Sequence, residues 1–294
     1  MNKKMLFIFN PHAGKGTIGS RLLPLLDYFT GQGYDVTAYP TQAGEDALNK
    51  TREEGGRYDL LVCSGGDGTL DEVVTGMLQG NVKVPLGYIP AGTTNDFARS
   101  LKIPKAILKA AHTAVEGTPF ACDMGSFNKN YFIYIAAFGA FTEVSYQTNQ
   151  QAKNALGHFA YVLEGAKRLP MLKAYEMELE ADGEIYHDFF IYGMVTNSTS
   201  VGGYKNLMGK DVEMNDGKFE VTFIRKPNHI LDIQAILAGL ASGDLSAKNF
   251  LSIKAKKIRL YSEDLIPWTL DGEFGGEHCE VIIENHEKAL EIMI

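Results

Sequence analysis

Cysteine is scarce in this chain and unpaired in spacing: Cys63, Cys122 and Cys279 are the three it has. That usage excludes a disulfide framework and suits a reducing, cytoplasmic interior, with each thiol read as a small buried side chain. Cations are also short. Against 36 acidic residues stand 28 lysines and arginines, for a net charge of −8, which argues against a nucleic-acid partner while leaving local basic patches open. No run is long enough to span a bilayer. The longest apolar stretch, residues 131–141, is about half of the roughly 20 residues a spanning helix needs. The apolar run 5–9 stops at Asn10-Pro11, far short of a signal peptide. The seven histidines are dispersed, without metal-ligand spacing.

Glycine, by contrast, is plentiful, and one cluster of it organises the rest. Ser64-Gly65-Gly66-Asp67-Gly68-Thr69 follows the apolar run 59–63, read as a buried strand, and precedes 70–78, whose apolar positions share one helical face. Lacking Cβ atoms, Gly65, Gly66 and Gly68 let a polyphosphate lie against the main chain while the helix start aims unpaired N–H groups at it. Asp67 is the odd residue there. A carboxylate beside an anion repels it unless a divalent cation or a transferable proton lies between, so the pair points to metal-assisted phosphate chemistry. A tight strand-to-helix turn with an aspartate capping the helix accounts for the same letters and stays open on this run alone.

Upstream, 5–9 reads as a strand and Asn10-Pro11-His12-Ala13-Gly14-Lys15-Gly16 as the loop that leaves it. Residues 21–29 have helical spacing, with Pro24 tolerable only in a first turn. A strand over 34–39, a polar helix over 43–54 and a strand over 85–89 continue the alternation. It predicts a parallel sheet with helices on both faces and ligands beyond the carboxyl ends of its strands. Gly14-Lys15-Gly16-Thr17-Ile18-Gly19 matches the dinucleotide fingerprint letter for letter. Residues 10–13 separate it from its strand, however, and no acidic residue ends the second strand, so an NAD-linked oxidoreductase is the minor reading. After the fourth strand, Pro90-Ala91-Gly92-Thr93-Thr94-Asn95-Asp96-Phe97-Ala98-Arg99 is a second glycine and threonine turn feeding a helix. A third aspartate, Asp123, closes Phe120-Ala121-Cys122. Singly, Asp96 reads as a helix-dipole charge and Asp123 as a turn residue. Three aspartates at three expected strand ends read as a site.

Beyond about Gly125 the texture becomes long alternating strands, over 131–138, 174–181, 184–196, 219–225, 257–262 and 280–285, with helices over 155–168 and 230–241. Asp182-Gly183 is a two-residue hairpin signal. Runs of strands after an alternating half predict a separate β domain, a sandwich.

Gly65-Gly66-Asp67-Gly68-Thr69, the run Pro90 to Arg99 and the later Leu270-Asp271-Gly272-Glu273 together resemble the soluble diacylglycerol kinase family of lipid kinases, bacterial enzymes related to sphingosine and ceramide kinases. The likeness extends over essentially the whole chain. The first motif is shared with NAD kinases and resembles a phosphofructokinase turn; the second separates the lipid kinases from those soluble relatives. The resemblance implies ATP as phosphoryl donor, Mg2+, and diacylglycerol as acceptor, reached by peripheral attachment at the inner face of the membrane. Another lipid alcohol, or a soluble NAD-kinase-like substrate, is the alternative, and a homodimer is left open. It also implies an α/β nucleotide-binding domain of the NAD kinase/phosphofructokinase kind over 1–125, rejoined by a final strand at about 286–294. An antiparallel β-sandwich lipid-substrate domain over 126–285 completes the chain, with both substrates in a cleft between the two.

By the same resemblance Asn10, Pro11, His12, Ala13, Gly14, Thr41, Gly65, Gly66, Asp67, Gly68, Thr69, Leu70, Asp71 and Thr93 hold the nucleotide. Asp67 is catalytic on the metal side, with Asp96 and Asp123 linked to it; Lys15, read from its place in the loop, is either a partner for a phosphate or an aspartate or simply an exposed loop lysine. Glu273 is the general base; glycines behind it let a substrate approach, while Asp271 competes and reads more simply as the start of an Asp-Gly turn. The run Asp211-Val212-Glu213-Met214-Asn215-Asp216-Gly217-Lys218 mixes carboxylates and carbonyls like a magnesium or calcium loop, and also reads as a hairpin turn. The resemblance puts a structural magnesium there, on Asp216 and the main-chain carbonyls of Glu213 and Lys218, with Asn215 where relatives often carry another aspartate. Residues 167–173 mix cations with apolar side chains, as a membrane-touching corner or a solvated helix end does.

Overall fold

The structure, a computed structural model, describes residues 2–14, 16, 18–139, 173–201, 204–205 and 212–294. Lys15, Asp211, the expected helix 155–168 and all of the 167–173 corner except Lys173 lie outside the described residues. The chain divides into two compact units: Met1–Met124 with Ser200–Tyr204 and His286–Ile294, and Gly125–Thr199 with Lys205–Asn285.

In the first unit, β1 (Lys3–Phe9) pairs in parallel with both β2 (Tyr34–Pro40) and β3 (Leu60–Gly65), and β3 pairs in parallel with β4 (Leu86–Pro90). The resulting order is β2-β1-β3-β4. β3 and β4 are buried along their whole length, which is why they read as unbroken apolar runs rather than as alternation. The helices are α1 (Ile18–Gly31), α2 (Asp46–Glu54), α3 (Asp67–Gln79), α4 (Asp96–Ser100) and α5 (Ile107–Glu116). α1 begins earlier than its spacing suggests, so Pro24 lies inside it rather than in its first turn. Pro24 is exposed while Leu25 and Phe29 are buried, so the ring lies on the solvent face of the helix. α2 is started from outside: Glu72 on α3 accepts the N–H groups of Glu45 and Ala47 at 2.9 and 3.1 Å, orphan donors of a helix start.

β5 (Pro119–Phe127) follows. Asp123 lies in the middle of this strand, not at its end as the sequence suggested, because Cys122 to Met124 are buried together and the strand continues past them.

The second unit holds β6 (Asn130–Phe132), β7 (Ile135–Gly139), β8 (Tyr175–Ala181), β9 (Glu184–Thr196), β12 (Phe219–Arg225), β13 (Phe250–Ala255), β14 (Lys257–Leu270) and most of β15 (Glu273–Met293), with α6 (Ile230–Ser242). Two short strands, β10 (Ser200–Val201) and β11 (Tyr204–Lys205), lie between β9 and β12. Within the unit the described strand pairings are antiparallel. Aromatic rings fill the core, Phe138 against Trp268 at 4.9 Å and Phe190 against Phe223 at 5.1 Å between centroids. The single strand expected over 131–138 is two, broken at Ile133-Tyr134 because the N–H groups of both residues bond to Asp271 instead of to a strand. β15 runs far beyond the expected 280–285. Its end belongs to the first unit, where Ile292 pairs in parallel with Leu86 of β4, and Thr118 and Ile294 exchange backbone hydrogen bonds at 2.9 and 3.0 Å.

Candidate active site

Because β1, β2, β3 and β4 run the same way, the loops leaving their carboxyl ends emerge along one edge of the first unit. β1 is flanked by β2 on one side and β3 on the other, so the chain order reverses there, the position at which open α/β sheets bind ligands.

Backbone contacts lock the loops together. Asn10 N–H donates to the Ser64 carbonyl at 2.9 Å, Ala91 N–H to Gly65 at 2.8 Å and Thr41 N–H to Phe9 at 2.9 Å. The Asn10 side-chain amide donates to Thr69 Oγ1 at 3.3 Å. Two glycines are required by this packing. Gly14 has φ +58° and lies against the Ala91 carbonyl, and a Cβ on Gly92 would stand 2.6 Å from the Gly66 Cα.

Two residues that the sequence did not single out brace the turns. Asn95, in the left-handed region at φ 52°, accepts Gly92 N–H at 3.0 Å and donates to the Gly92 carbonyl at 2.8 Å. The buried Tyr88 hydroxyl donates to the Gly65 carbonyl at 3.1 Å and lies 3.3 Å from Asn95 Oδ1. Asparagine's tolerance of the left-handed region was a usable signal. A tyrosine in a buried strand gave none.

Asp67 opens α3, yet the helix start its carboxylate serves is that of α4. It accepts backbone N–H groups from Asp96, Phe97 and Asn95. Burial pushes its carboxyl up from the usual range, the neighbouring Asp96 adds to this, and the N–H bonds pull back. Its Oδ1 is buried with no hydrogen-bond partner. An unpaired carboxylate oxygen beside two glycine turns is a hard-cation donor, and magnesium characteristically takes only one or two carboxylates alongside substrate phosphates. The residues here therefore fit that ion.

The other expected residues divide. Asp96 is 1% exposed and Thr41 is buried, while Thr93 and His12 are exposed and Pro11, Gly68, Thr69 and Asp71 are half-buried. The buried Ala13 donates its N–H to the Asn10 carbonyl at 3.2 Å. Leu70 is fully buried and its N–H is bonded to the Gly66 carbonyl at 3.1 Å, so neither its side chain nor its amide faces a ligand. Asp123 is fully buried and Oδ1 accepts Lys288 N–H at 2.7 Å.

The second unit carries Glu273 and Asp216. Glu273 is exposed at the start of β15, one step past the Asp271-Gly272 turn. Asp271 is 9% exposed and its oxygens take three consecutive N–H groups, those of Ile133 at 2.6 Å and of Tyr134 and Ile135 at 3.0 Å. It is thereby a clamp rather than a rival base. Asp216 Oδ1 accepts Lys218 N–H at 3.0 Å and Oδ2 lies 3.1 Å from Lys254 Nζ; Glu213 and Lys218 are exposed. Among the described residues no group of three or more His, Cys, Asp or Glu side chains could hold a metal ion.

Known proteins are similar to this chain in sequence and fold. Residues 4–127 match the family described as the diacylglycerol kinase catalytic domain, and residues 135–294 match the YegS C-terminal NAD kinase beta sandwich-like domain. The diacylglycerol kinase of Bacillus subtilis (strain 168) is 36% identical over 276 residues, covering 93% of this chain and 91% of its own. That of Staphylococcus carnosus (strain TM300) is 33% identical over 279 residues, covering 94% and 90%. A solved structure of a candidate diacylglycerol kinase from Bacillus anthracis str. Sterne, 26% identical, superposes with a TM-score of 0.82 over 99% of this chain and 95% of that one.

Proposed function

The chain belongs to the diacylglycerol kinase family of lipid kinases, and on that premise we propose that it moves the γ-phosphoryl group of ATP, with magnesium, to the free hydroxyl of diacylglycerol, forming phosphatidic acid. The observation that carries this reading is the interlocked pair of glycine turns after β3 and β4, with the open Asp67 oxygen behind them. In this reading the first unit is the nucleotide domain, of the NAD kinase/phosphofructokinase kind with helices on both faces. The second is the lipid-substrate domain. The triphosphate lies along the Gly65–Thr69 and Asn10–Gly14 backbones, where unpaired N–H groups at the start of α3 favour an anion. Magnesium, when bound, neutralises the phosphate oxygens, and Asp67 is the residue that holds it. Asp96 holds the Asp67 carboxylate in place through its backbone N–H, and Glu273 takes the acceptor's proton as attack proceeds.

A bilayer-resident acceptor supports peripheral work at the inner membrane face. Among the described residues no helix is long and apolar enough to cross a membrane. Against a dinucleotide site, β1 ends at Phe9, so residues 10–13 stand between the strand and the first fingerprint glycine.

Labelled ATP offered with a panel of lipid alcohols and with NAD tests the reading. Label is expected on diacylglycerol; label on NAD, or on none of them, overturns it. Asp67→Ala should abolish turnover and, because Asp67 serves the start of α4, lower the melting temperature by a few degrees, as loss of a helix cap of about 1 kcal/mol does. Asp67→Asn keeps an acceptor for those N–H groups, so stability should recover while activity does not. An active Asp67→Asn enzyme would remove the metal role.

A further inference from the structure

The loop to which sequence likeness assigned a structural magnesium already has a cation. On β12, Phe219, Val221 and Phe223 enter the aromatic core, so the period-2 alternation of a strand turns Glu220 to the opposite face. Glu220 is nevertheless only 6% exposed. Register fixes its neighbours: Thr196 of β9 stands across from it on one side and Lys254 of β13 on the other. Lys254 Nζ lies 3.2 Å from Glu220 Oε1 and 3.1 Å from Asp216 Oδ2. Asp216 reaches that point because Gly217 turns the chain at φ +77°. The loop is anchored just past the end of β9, where the Asn197 side-chain amide donates to the Met214 carbonyl at 3.4 Å.

These groups do not suit a divalent ion. A divalent ion needs carboxylate oxygens left open to it, one or two for magnesium and more for calcium. Here one Asp216 oxygen is bonded to the Lys218 amide and the other to an ammonium, and position 215 is a neutral asparagine. They do suit a single positive charge between two carboxylates.

We propose that the Lys254 ammonium is the resident cation of this loop, tying Asp216 to Glu220 across β12 and β13 in place of a divalent metal. A cation delivered by strand register is present as soon as the sheet forms and cannot be removed by a chelator. The test is thermal melting of the full, nucleotide-free chain with and without magnesium, for wild type, Asp216→Asn and Lys254→Gln. Wild type and Asp216→Asn should respond equally to magnesium, since any ion held at Asp67 is common to both. Lys254→Gln should melt a few degrees below wild type in the presence of chelator, as expected when a buried carboxylate loses its partner. A magnesium response that Asp216→Asn loses overturns the proposal, and so does a Lys254→Gln protein that melts with wild type. Should Lys254→Gln fail to fold, metal analysis of gel-filtered wild type and Asp216→Asn decides: equal divalent content in the two supports the proposal, and an ion present in wild type that Asp216→Asn loses overturns it.

Discussion

The tripeptide Asp-Gly-Glu occurs twice in the second unit, at Asp182-Gly183-Glu184 and at Asp271-Gly272-Glu273. Both make two-residue hairpins with nearly the same backbone, φ 48° and 92° in the first and 50° and 91° in the second, the pair of positive values that right-twisted strands favour. In each, the aspartate carboxylate reaches out of its own turn to another segment. Asp182, exposed, takes the N–H groups of Lys256 and Lys257 at 2.9 and 2.8 Å. Asp271, buried, takes three consecutive ones and so interrupts the strand they would have formed. The glutamates diverge further. Glu184 accepts the Tyr186 hydroxyl at 2.6 Å, whereas Glu273 is followed by Phe274-Gly275-Gly276, with Gly275 so close to Leu270 that a Cβ would stand 2.7 Å from its Cγ. A hairpin tripeptide thus sets a backbone shape, and its tertiary surroundings decide whether that shape presents a reactive group.

The largest effect should separate the two glutamates. Glu273→Gln keeps shape and loses basicity, and should cut kcat for the lipid at least about a hundredfold with ATP affinity little changed; Glu184→Gln should turn over like wild type. Normal kcat in Glu273→Gln, or equal losses in both, would dissolve the distinction and leave Asp67 and Asp96 as the remaining bases.

Next come the aspartates. Asp271→Asn strips charge from an acceptor of three buried N–H groups and should cost about 2–3 kcal/mol. Asp182→Asn, exposed and holding two, should cost under about 1 kcal/mol. Urea midpoints at constant slope measure both, and indistinguishable midpoints would mean that burial does not set the difference.

The smallest effect is a predicted equality. Nothing lies within 4 Å of a Cβ on Gly183, and only the Tyr134 hydroxyl, at 4.0 Å, approaches one on Gly272. Alanine at either position therefore meets the same left-handed strain and little else, about 1 kcal/mol each. A gap of more than about 0.5 kcal/mol would show that the two backbones are less alike than their angles.

What could be read from sequence is what local chemistry decides. The glycine turns were legible because close backbone packing leaves no room for side chains, and β9 and β12 were legible from their alternation and turn residues. The break at Ile133-Tyr134 was not, since its cause is a carboxylate 137 residues away. Glu72, Tyr88 and Lys254 escaped for the same reason. Each acts across elements, through a helix start, a turn carbonyl or a strand register that only the folded chain brings together. α5 and β13 went unseen as well; the buried face of α5 is Ala110, Ala111 and Ala114, too small a signal for a hydrophobic period.

The first unit is not contiguous in sequence. Residues 286–294 complete it, through Ile292 beside Leu86, Thr118 beside Ile294, and Lys288 N–H on the buried Asp123. On a ribosome, the turns that carry Asp67 and Asp96 are made early, but the strand that covers the edge of β4 arrives only after the whole second unit has been translated, an interval on the order of ten seconds at ordinary elongation rates. Until then β4 presents an open edge of the kind that pairs with other chains. Folding of this enzyme is therefore ordered in time, with the second-made half able to finish first, and a nascent chain stalled before residue 286 would be inactive and prone to aggregate.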